Sequence, residues 1–461
     1  MASNSKRTND HVFFCLLTVL LAVGIFLAAS AERLPFLGHV GWGAAIILLA
    51  VSLGLFLRRF PLNRLVLALP LATLLAWSLS DRIWPGGRLF PGSKESLPAG
   101  LVATAIQGPD GFSKQLLAPT GACVNLFAGN LAQPRMLLFL SDGWLLVSES
   151  GAGRVLALWD RDGDHVADER RVFAGGLDRP HGLAADGNDV LVAETGSVLR
   201  LHDTDGDHVA DQSRVVSTDL PAGGGHWTRS LALDRAGNLL VSVGSDCNAC
   251  LETDPRRGAI LRIDPHTGRG ELYASGLRNS VGLAIQPDTG DLWASDNGRD
   301  LLGDDIPPDE INRIVEGGDY GWPWCYGDRT PDLELGSRQR CSSTIPPAVA
   351  LQAHVAPLGL TFGEGLAGPI DWRDDLFLAE HGSWNRSEPV GYQVVRIPFD
   401  GKNPAGDPVP LLAGWLRNGH AWGRPVDVAV GPDGALYVTD DRAGVIYRAV
   451  FSADGGQSCA P

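Results

Sequence analysis

The sequence lacks a lysine- or arginine-rich block and has no low-complexity tail. Its 53 aspartates and glutamates outnumber its 38 lysines and arginines, which gives a formal net charge of −15. A protein that binds nucleic acid needs a basic surface against the phosphates, so this charge balance argues against DNA or RNA as a partner. We therefore expect no nucleic-acid partner.

Cysteine is scarce, with seven residues in 461. A C-x-x-C motif runs from Cys247 to Cys250, but no histidine follows it for haem attachment, and no second such motif completes a zinc site. A redox or metal pair is therefore less favoured than a disulfide that braces a loop. Apart from Cys15 in an apolar segment, six cysteines remain, and an even number in an exported domain predicts three disulfides. The expected pairs are Cys247 with Cys250, Cys325 with Cys341, and Cys123 with Cys459, with two free thiols as the alternative for the last pair.

Three segments near the N-terminus are apolar and uncharged: 12–30, 40–57 and 65–80. The first two are long enough to cross a bilayer, whereas the third is short and contains Pro70. A cleaved signal peptide is the alternative for the first segment, but two more apolar segments follow it. We therefore expect residues 1–82 to form an α-helical transmembrane anchor with about three spans.

The basic residues around these segments predict the orientation of the anchor. Lys6 and Arg7 precede the first segment, Arg33 alone lies between the first and second, and Arg58, Arg59 and Arg64 lie between the second and third. Under the positive-inside rule the N-terminus is cytoplasmic, and the chain after the third span is outside. This predicts a multi-pass protein of the cell inner membrane whose main domain lies in the periplasm.

One unit recurs in the rest of the chain: a turn, an apolar strand, an acidic or small polar residue, and often a glycine before a second strand. Its spacing is close to the length of a four-stranded propeller blade, about 40–50 residues, with insertions. A β-sandwich is the alternative, but a constant internal order across the copies argues against it. We predict an all-β fold, a six-bladed β-propeller over residues 120–461, preceded by a linker at 83–119 that becomes ordered near it. The copies begin at Asp142, Asn188, Gly237, Gly290, Asp374 and Gly434.

Basic and titratable residues introduce the strand that precedes each copy. In a propeller these innermost strands line the central channel, so their starts form a ring at one end of it, here called the mouth. The loops after the second strands should also border the mouth. A ring of arginine and histidine in an acidic protein predicts a site for a small anion, although any single arginine could instead brace a neighbouring loop. The ring residues are Arg135, Arg179, His181, His226, Arg278, His354 and Arg424.

Two nearly identical loops, 160–168 and 203–211, have the pattern DxDGDxxxD. Carboxylates at the first, third, fifth and ninth positions suit calcium, but the twelfth-position glutamate of an EF-hand is missing. The alternative is an Asp-Gly turn whose carboxylates accept hydrogen bonds from local amides. Both interpretations stay open, and either role would be structural, since a loop after a third strand lies away from the mouth.

Four motifs together resemble the glucose/sorbosone dehydrogenase family, whose members are six-bladed propellers that use pyrroloquinoline quinone (PQQ). The resemblance covers roughly residues 120–450, and the CNAC and EHGSWNR segments are most similar to the sorbosone dehydrogenase branch. The four motifs are Arg278-Asn279, Gly282-Leu-Ala284, Asp309-Glu-Ile-Asn312 and Gly318-Asp-Tyr-Gly-Trp-Pro323.

The resemblance implies roles for individual residues. His226 would be the general base that takes the substrate hydroxyl proton, and Arg278 would stabilise negative charge that develops on the quinone oxygen. Asn279 would hydrogen-bond the cofactor, and Arg424 would pair with one of its carboxylates. Further cofactor-binding candidates are His181, His354 and Trp384. A calcium ion would lie against the quinone, with Gly298, Arg299, Asp309 and Glu310 as the candidate ligands.

The activity implied is oxidation of a sugar or sugar-derived aldehyde or alcohol, with electrons passed to an acceptor such as ubiquinone or a cytochrome. Departures at Gly225, Val426 and Arg299 from the pattern of the glucose enzymes leave the identity of the sugar open. One alternative is a calcium-dependent propeller hydrolase, such as a lactonase, which needs a cage of Asn, Asp and Glu side chains in the channel. Another is a non-enzymatic propeller that binds a partner at the mouth.

Overall fold

The computed structural model describes residues 98, 100–108 and 111–452. The three apolar segments fall outside these residues, so the transmembrane anchor stays a prediction. Within the described part of the chain, no helix has the length and apolar character needed to cross a membrane. The helices described there are short: α1 is Arg338–Cys341, and a single 3₁₀ turn covers Ile370–Trp372.

The described chain consists almost entirely of strands, which begin with a hairpin and the strand that follows it: β1 (Leu101–Gln107), β2 (Ser113–Pro119) and β3 (Cys123–Ala128). The first three blades then follow in order. Blade 1 has β4 (Pro134–Phe139), β5 (Leu145–Glu149), β6 (Arg154–Trp159) and β7 (Glu169–Gly175). Blade 2 has β8 (Leu183–Asp186), β9 (Asp189–Ala193), β10 (Val198–His202) and β11 (Gln212–Ser217). Blade 3 has β12 (Leu231–Leu233), β13 (Leu239–Val243), β14 (Ala259–Ile263) and β15 (Gly270–Ser275).

The last three blades contain the insertion and the ring closure. Blade 4 has β16 (Ser280–Ile285), β17 (Leu292–Asp296), β18 (Glu310–Ile314) and, after the insertion, β22 (Val349–Ala350). The insertion has β19 (Gly318–Asp319), β20 (Cys325–Tyr326) and β21 (Thr330–Pro331). Blade 5 has β23 (Pro357–Phe362), β24 (Leu376–Glu380), β25 (Gln393–Ile397) and β26 (Val409–Leu412). A small hairpin, β27 (Leu416–Arg417) and β28 (His420–Ala421), precedes blade 6, which has β29 (Pro425–Val430), β30 (Leu436–Asp440) and β31 (Val445–Val450).

The innermost strands close into a ring. β4 contacts β8, β8 contacts β12, β12 contacts β16, β16 contacts β23, β23 contacts β29, and β29 contacts β4 again. The predicted six-bladed propeller is therefore confirmed, and the six repeated segments are the second strands of the six blades.

The first and last strands of the ring share one blade. β3 is the outermost strand of blade 6 and pairs antiparallel with β31, with Leu126 opposite Tyr447. This pairing leaves no unpaired edge between the two ends of the ring, as expected for a closed propeller. The C-terminal part of the predicted linker forms the β1–β2 hairpin, and Leu117 and Ala413 exchange backbone hydrogen bonds of 2.7 and 2.9 Å.

The second strands are apolar and continuous because both of their faces are covered. Each blade packs face to face against its two neighbours, so a middle strand such as β24, with sequence LFLAE, is buried at every position. This explains why these strands do not show the alternation of a half-exposed sheet. Trp293 and Trp415 are among the largest fully buried side chains between the blades.

The acid at the end of a second strand positions the start of an inner strand. The Asp296 carboxylate accepts backbone N–H bonds from Arg278 at 3.0 Å and Asn279 at 2.8 Å. In blade 6 the Asp440 carboxylate accepts the backbone N–H of Arg424 at 2.8 Å. The repeated acid thus fixes the backbone of residues that border the mouth.

Two of the three predicted disulfides are present. Cys247 pairs with Cys250, and Cys325 pairs with Cys341 at the end of α1. Cys123 is also disulfide-bonded. Cys459 lies outside the described residues, so the pairing of Cys123 with Cys459 stays a prediction.

The two DxDGDxxxD loops adopt the same conformation between the third and fourth strands of blades 1 and 2. Asp160, Asp162 and Asp168 gather their carboxylates within 4.8 Å of one another, as do their counterparts in the second loop. Local amides already donate to these carboxylates: Gly163 N–H lies 2.8 Å from Asp160 Oδ1, and His165 N–H lies 2.9 Å from Asp160 Oδ2. The structure thus shows the amide-capping arrangement, and calcium binding at these loops stays a prediction.

Candidate active site

The candidate site lies at the mouth, where the inner strands start and the loops after the second strands meet them. Arg278 contacts the loops that follow β13 and β17, and Arg424 contacts the loop that follows β24. Asn385 in that third loop donates to the Asp300 carboxylate at 3.2 Å. Loops from blades 3, 4 and 5 are therefore held together by side chains, as the strand directions predicted.

His226 has one ring nitrogen fixed by the protein. Its Nδ1 lies 2.9 Å from both the carbonyl oxygen and the Oγ of Ser245, and that hydroxyl donates to the carbonyl of Cys247 at 2.7 Å. Because the carbonyl can only accept, Nδ1 carries the proton and Nε2 presents a lone pair. Within the described chain, no hydrogen-bond partner contacts Nε2. Burial and the nearby Arg278 charge lower the pKa of His226 to about 4, so the ring is neutral at neutral pH.

Arg278 is buried and almost fully engaged. Its Nε donates to the carbonyl of Asn248 at 2.9 Å, and Nη1 donates to the carbonyl of Asn297 at 3.1 Å. Its Nη2 donates to Asn248 Oδ1 at 3.0 Å and to the Asp300 carboxylate at 2.8 Å. A guanidinium has five N–H donors, so one N–H on Nη1 has no partner among these contacts. Arg278 is therefore a fixed positive charge with one donor to spare.

Asn279 and His226 are brought together by a glycine. A β-carbon on Gly244 would lie 2.5 Å from the His226 β-carbon and 2.6 Å from Asn279 Oδ1, so the glycine allows both side chains to approach. The Asn279 Oδ1 is buried and accepts no hydrogen bond within the described structure. A buried acceptor without a donor is costly, which suits a position that a ligand completes.

Trp227, which follows His226 in the sequence, is surrounded by cationic and aromatic side chains. The Arg179 guanidinium lies 5.0 Å from the centre of the Trp227 ring, and that of Arg135 lies 5.8 Å away. The ring of His181 meets Trp227 edge to face at 5.7 Å. The Nε2 of His181 is buried and accepts or donates no hydrogen bond within the described chain. Burial, together with the charge of Arg135, lowers the pKa of His181 well below its usual value.

Arg424, His354 and Trp384 have three different surroundings. Arg424 donates from Nε to the carbonyl of His381 at 2.9 Å and from Nη2 to the carbonyl of Gly382 at 2.5 Å. His354 Nε2 lies 2.9 Å from the carbonyl of Gly303, so this histidine braces the loop after β17. Trp384 is 69% exposed and is the most exposed of the predicted cofactor-binding residues.

The predicted calcium ligands lie in the β17–β18 loop and at the start of β18. The carboxylates among them already accept hydrogen bonds from backbone amides. The Asp309 carboxylate accepts the backbone N–H of Gly298 at 2.8 Å and that of Ala356 at 2.9 Å. Glu310 accepts the backbone N–H of Gly327 at 2.8 Å. Burial raises the pKa of Asp309 to about 7 and that of Glu310 to about 8.

The fourth predicted ligand, Arg299, directs its side chain into the insertion. Its Nη1 donates to the Asp332 carboxylate at 2.7 Å. Only its backbone carbonyl, like that of Gly298, is therefore available to a metal ion. No hydrogen bond within the described residues ends at either carbonyl oxygen. The ligand roles of the four residues stay predictions.

One further histidine at the mouth, His381, was not among the residues predicted from the sequence. His381 Nε2 lies 2.9 Å from Asp441 Oδ1, and Asp441 Oδ2 accepts from Arg135 at 2.6 Å. Both His381 and Asp441 are the first residues after second strands, the position that the repeat pattern already marked as bordering the mouth. Their pairing joins different blades, and no local spacing could have shown it.

Comparison with known proteins decides the family. A family model described as TrAA12-like matches residues 117–333 and 329–450. The chain belongs to the TrAA12-like family. This agrees with the resemblance inferred from the motifs around Arg278, because a PQQ-dependent sugar dehydrogenase of Hypocrea jecorina (strain QM6a) is 28% identical over 406 residues. That alignment covers 74% of this chain and 90% of the relative.

Two further comparisons concern a curated relative and a solved structure. A protein of Borreliella burgdorferi is 39% identical over 232 residues, which are 49% of this chain; the chain spans 61% of that relative's length. The calcium structure of a Trichoderma reesei protein of Carbohydrate-Active Enzymes Family AA12 superposes with a TM-score of 0.64 at 25% identity. The superposition covers 72% of this chain and 96% of the solved chain.

Proposed function

We propose that this chain is a PQQ-dependent dehydrogenase that oxidises a sugar or a sugar-derived alcohol or aldehyde. Membership of the TrAA12-like family and the similarity to a PQQ-dependent sugar dehydrogenase support the reaction class. The observation that carries the proposal is the close approach of His226 and Asn279 at Gly244, with the charge of the adjacent Arg278 near enough to lower the pKa of His226. The mouth thus contains a neutral base (His226), an amide oxygen without a hydrogen-bond partner in the described structure (Asn279 Oδ1) and a fixed cation (Arg278).

His226 is the proposed general base. Its Nδ1–H is held by Ser245, so the lone pair on Nε2 can take the proton of a substrate hydroxyl. The pKa of about 4 keeps the ring unprotonated at neutral pH, so no fraction of the base is lost to protonation there. Oxidation of a CH–OH group also removes a hydride, and PQQ, when bound, supplies the quinone that accepts it.

The residues present fit a planar cofactor with carboxylates. Asn279 Oδ1 is a buried acceptor that awaits a donor, and Arg179 lies over Trp227 without a carboxylate partner among the described residues. Arg424 has its Nη1 uncommitted beside Tyr392, whose ring centre is 5.5 Å from the guanidinium carbon. Cations beside aromatic faces are suited to an anionic ring system. His181 would contribute its unpartnered Nε2.

Calcium would be held mainly by backbone oxygens of the β17–β18 loop. The carbonyls of Gly298 and Arg299 are available, and hard oxygen donors are what this ion prefers. Asp309 and Glu310 hold the backbone of that loop and of the insertion in place. The ion would supply a positive charge near Arg278, which would favour negative charge on a bound reactant.

The location and the electron acceptor are further parts of the proposal. We place the anchor at residues 1–82 in the cell inner membrane and the propeller in the periplasm, as the basic residues around the apolar segments predict. A membrane quinone such as ubiquinone, or a cytochrome, would then take up the electrons. The CNAC and EHGSWNR segments favour a sorbosone-like substrate.

The test is reconstitution of the purified protein. Cofactor-free protein is titrated with PQQ in the presence and absence of calcium, and bound quinone is followed by its absorbance. The loaded protein is then assayed with aldoses, sorbosone and simple alcohols and an artificial electron acceptor. Saturable binding and turnover of a sugar substrate are expected. Failure to bind PQQ at micromolar concentration with calcium present contradicts the proposal.

A further inference from the structure

We propose that Asn248 is a positioning residue that holds Arg278 in its working orientation, and that the Cys247–Cys250 disulfide holds Asn248. The inference rests on the proposed function, in which Arg278 stabilises negative charge during the reaction. It gives the C-x-x-C loop a role in the active site, beyond the structural role of a disulfide that braces a loop.

Asn248 contacts Arg278 at two points. The backbone carbonyl of Asn248 accepts from Nε at 2.9 Å, and its Oδ1 accepts from Nη2 at 3.0 Å. Two acceptors from one residue fix both the position and the rotation of a planar guanidinium, in the way that a bidentate carboxylate does. Asn248 is neutral, however, so it orients the cation without neutralising it.

The same side chain also holds the neighbouring loop. Asn248 Oδ1 accepts the backbone N–H of Asp300 at 2.7 Å, and its Nδ2 donates to the Asp300 carbonyl at 3.1 Å. The Asp300 carboxylate in turn accepts from Arg278 Nη2 at 2.8 Å. Asn248 therefore joins the loop of blade 3 to that of blade 4 directly around the guanidinium.

The disulfide closes a short loop on this residue. Cys247 and Cys250 flank Asn248 and Ala249, and both cysteines are partly exposed. The carbonyl of Cys247 accepts from Ser245 Oγ at 2.7 Å, and Ser245 is the residue that fixes His226. One covalently closed loop thus positions both the proposed base and the proposed charge-stabilising group.

A double-mutant cycle separates positioning from general loop stability. Because Asn248 acts through Arg278, Asn248→Ala should lower kcat roughly 10- to 100-fold with a smaller change in KM, the size typical of outer-shell partners. In an Arg278→Ala background the same substitution should have little further effect. Single-turnover reduction of PQQ extends the measurement to slow variants. Equal losses in both backgrounds, or no loss in either, would overturn the proposal.

A matched control comes from the other end of the same blade. Asn238 is also partly buried and donates from Nδ2 to the Asp234 carboxylate at 2.9 Å, in the turn between β12 and β13. Asn238→Ala removes a comparable side-chain hydrogen bond away from the mouth. Its kcat should equal that of the unmodified protein, whereas a loss like that of Asn248→Ala would show a general effect of destabilising blade 3.

A second measurement does not depend on catalysis. In cofactor-free protein, the Nε–H of Arg278 should give a protected side-chain signal in ¹⁵N NMR, assigned by its loss in Arg278→Ala. Asn248→Ala keeps the backbone carbonyl that accepts from Nε but removes the Oδ1 and Nδ2 contacts that hold the loop around the guanidinium. Both Asn248→Ala and a Cys247→Ser/Cys250→Ser double variant should therefore weaken that protection. Unchanged protection in Asn248→Ala contradicts the positioning role even if the protein turns over sugar. Weakened protection in Asn248→Ala, in a protein that fails to bind PQQ, would uphold the role and reject only the proposed function.

Discussion

Gly244 lies so close to His226 that a β-carbon built on the glycine would be 2.5 Å from the β-carbon of the histidine. It would also lie 2.6 Å from Asn279 Oδ1, the buried oxygen without a partner. Real β-carbons do not approach other atoms this closely, so Gly244→Ala must displace one or both side chains. A displacement of about 1 Å at a catalytic group can lower the rate roughly 10²-fold. We expect a loss of that order in kcat, together with weaker PQQ binding.

A glycine elsewhere in the propeller provides the control for this substitution. At Gly175 in β7 a β-carbon would meet its nearest neighbour, Val172 Cγ1, at 3.6 Å, which is ordinary contact. Gly175→Ala should leave both kcat and PQQ affinity unchanged. If Gly244→Ala behaves in the same way, the tight packing of His226 and Asn279 is not needed for the site.

His226→Ala tests the proposed base directly. The substitution should lower turnover about 10²- to 10⁴-fold, the usual contribution of a general base, and leave PQQ binding nearly intact. His266 in the exposed β14–β15 turn is the matched control, and His266→Ala should have full activity. Unchanged turnover in His226→Ala would remove the histidine from the mechanism.

The pH profile gives a second readout of the same residue. A base must be unprotonated, and the pKa of His226 is lowered to about 4 by burial and by Arg278. The kcat/KM of the unmodified protein should therefore be level at neutral pH and fall tenfold per unit below about pH 4. Short exposures to low pH by rapid mixing allow this measurement. The residual activity of His226→Ala should lack that descending limb.

Much of the propeller could be predicted because the fold repeats a local pattern. Strands such as β24, buried on both faces, stand out as apolar runs, and the acid that ends them marks the place where an inner strand begins. The ring of arginines and histidines at the inner-strand starts followed from this periodicity alone. The pairing of β3 with β31 was found only in the structure, where it leaves no strand edge unpaired between the two ends of the ring.

The details of the site could not be predicted, because they depend on contacts between blades. Nothing in the spacing shows that Asn248 accepts from Arg278, thirty positions later, or that His381 meets Asp441. The sequence also gives no sign that the Asp309 carboxylate accepts hydrogen bonds from two backbone amides. Such pairings depend on the angle between neighbouring sheets, which no local pattern encodes.

Asp427 should make stability depend on pH. It is 4% exposed, accepts the backbone N–H of Leu137 at 2.8 Å, and burial raises its pKa from 3.8 to about 7. The folded protein therefore binds this proton more tightly than the unfolded chain does. The stabilising contribution is full below about pH 4 and is lost as the pH rises through 7, by up to about 4 kcal/mol at 1.4 kcal/mol per unit.

The measurement compares denaturant unfolding of the native protein and Asp427→Asn at pH 5 and pH 8.5. Asparagine cannot ionise, so the variant should gain stability relative to the native protein as the pH rises. Asp328, with an 89% exposed side chain, is the control, and Asp328→Asn should show no such trend. A constant difference between Asp427→Asn and the native protein at both pH values would contradict the prediction.

Reporter fusions test the predicted membrane topology. Three spans place residue 85 in the periplasm and residue 61, within the arginine cluster of 58–64, in the cytoplasm. Alkaline phosphatase should be active when it is fused after residue 85 and inactive when it is fused after residue 61. A cytoplasmic fluorescent reporter should show the reverse pattern. Activity of the phosphatase after residue 61 alone would place the propeller in the cytoplasm, where disulfides are rare.

Cys123 should be linked to Cys459. Cys123 is the first residue of β3 and is disulfide-bonded, and it pairs in the sheet with Val450 of β31. Cys459 follows that strand end by nine residues (459 − 450), a length of chain that can span the distance from Val450 to Cys123. The bond would fasten the two ends of the ring covalently. In the loop-closure account, a link across so long a chain removes about 4–5 kcal/mol of unfolded-chain entropy.

Non-reducing peptide mapping decides which cysteine is the partner. The four cysteines between residues 247 and 341 already pair with one another, so among the remaining residues only Cys15 and Cys459 can bond Cys123 within the chain. A peptide containing Cys123 joined to one containing Cys459 is expected. Cys459→Ser should then lower the unfolding temperature, whereas Cys15→Ser should not change it. Recovery of Cys459 as a free, alkylatable thiol would show that the covalent closure is absent and that the β3–β31 hydrogen bonds alone hold the ring.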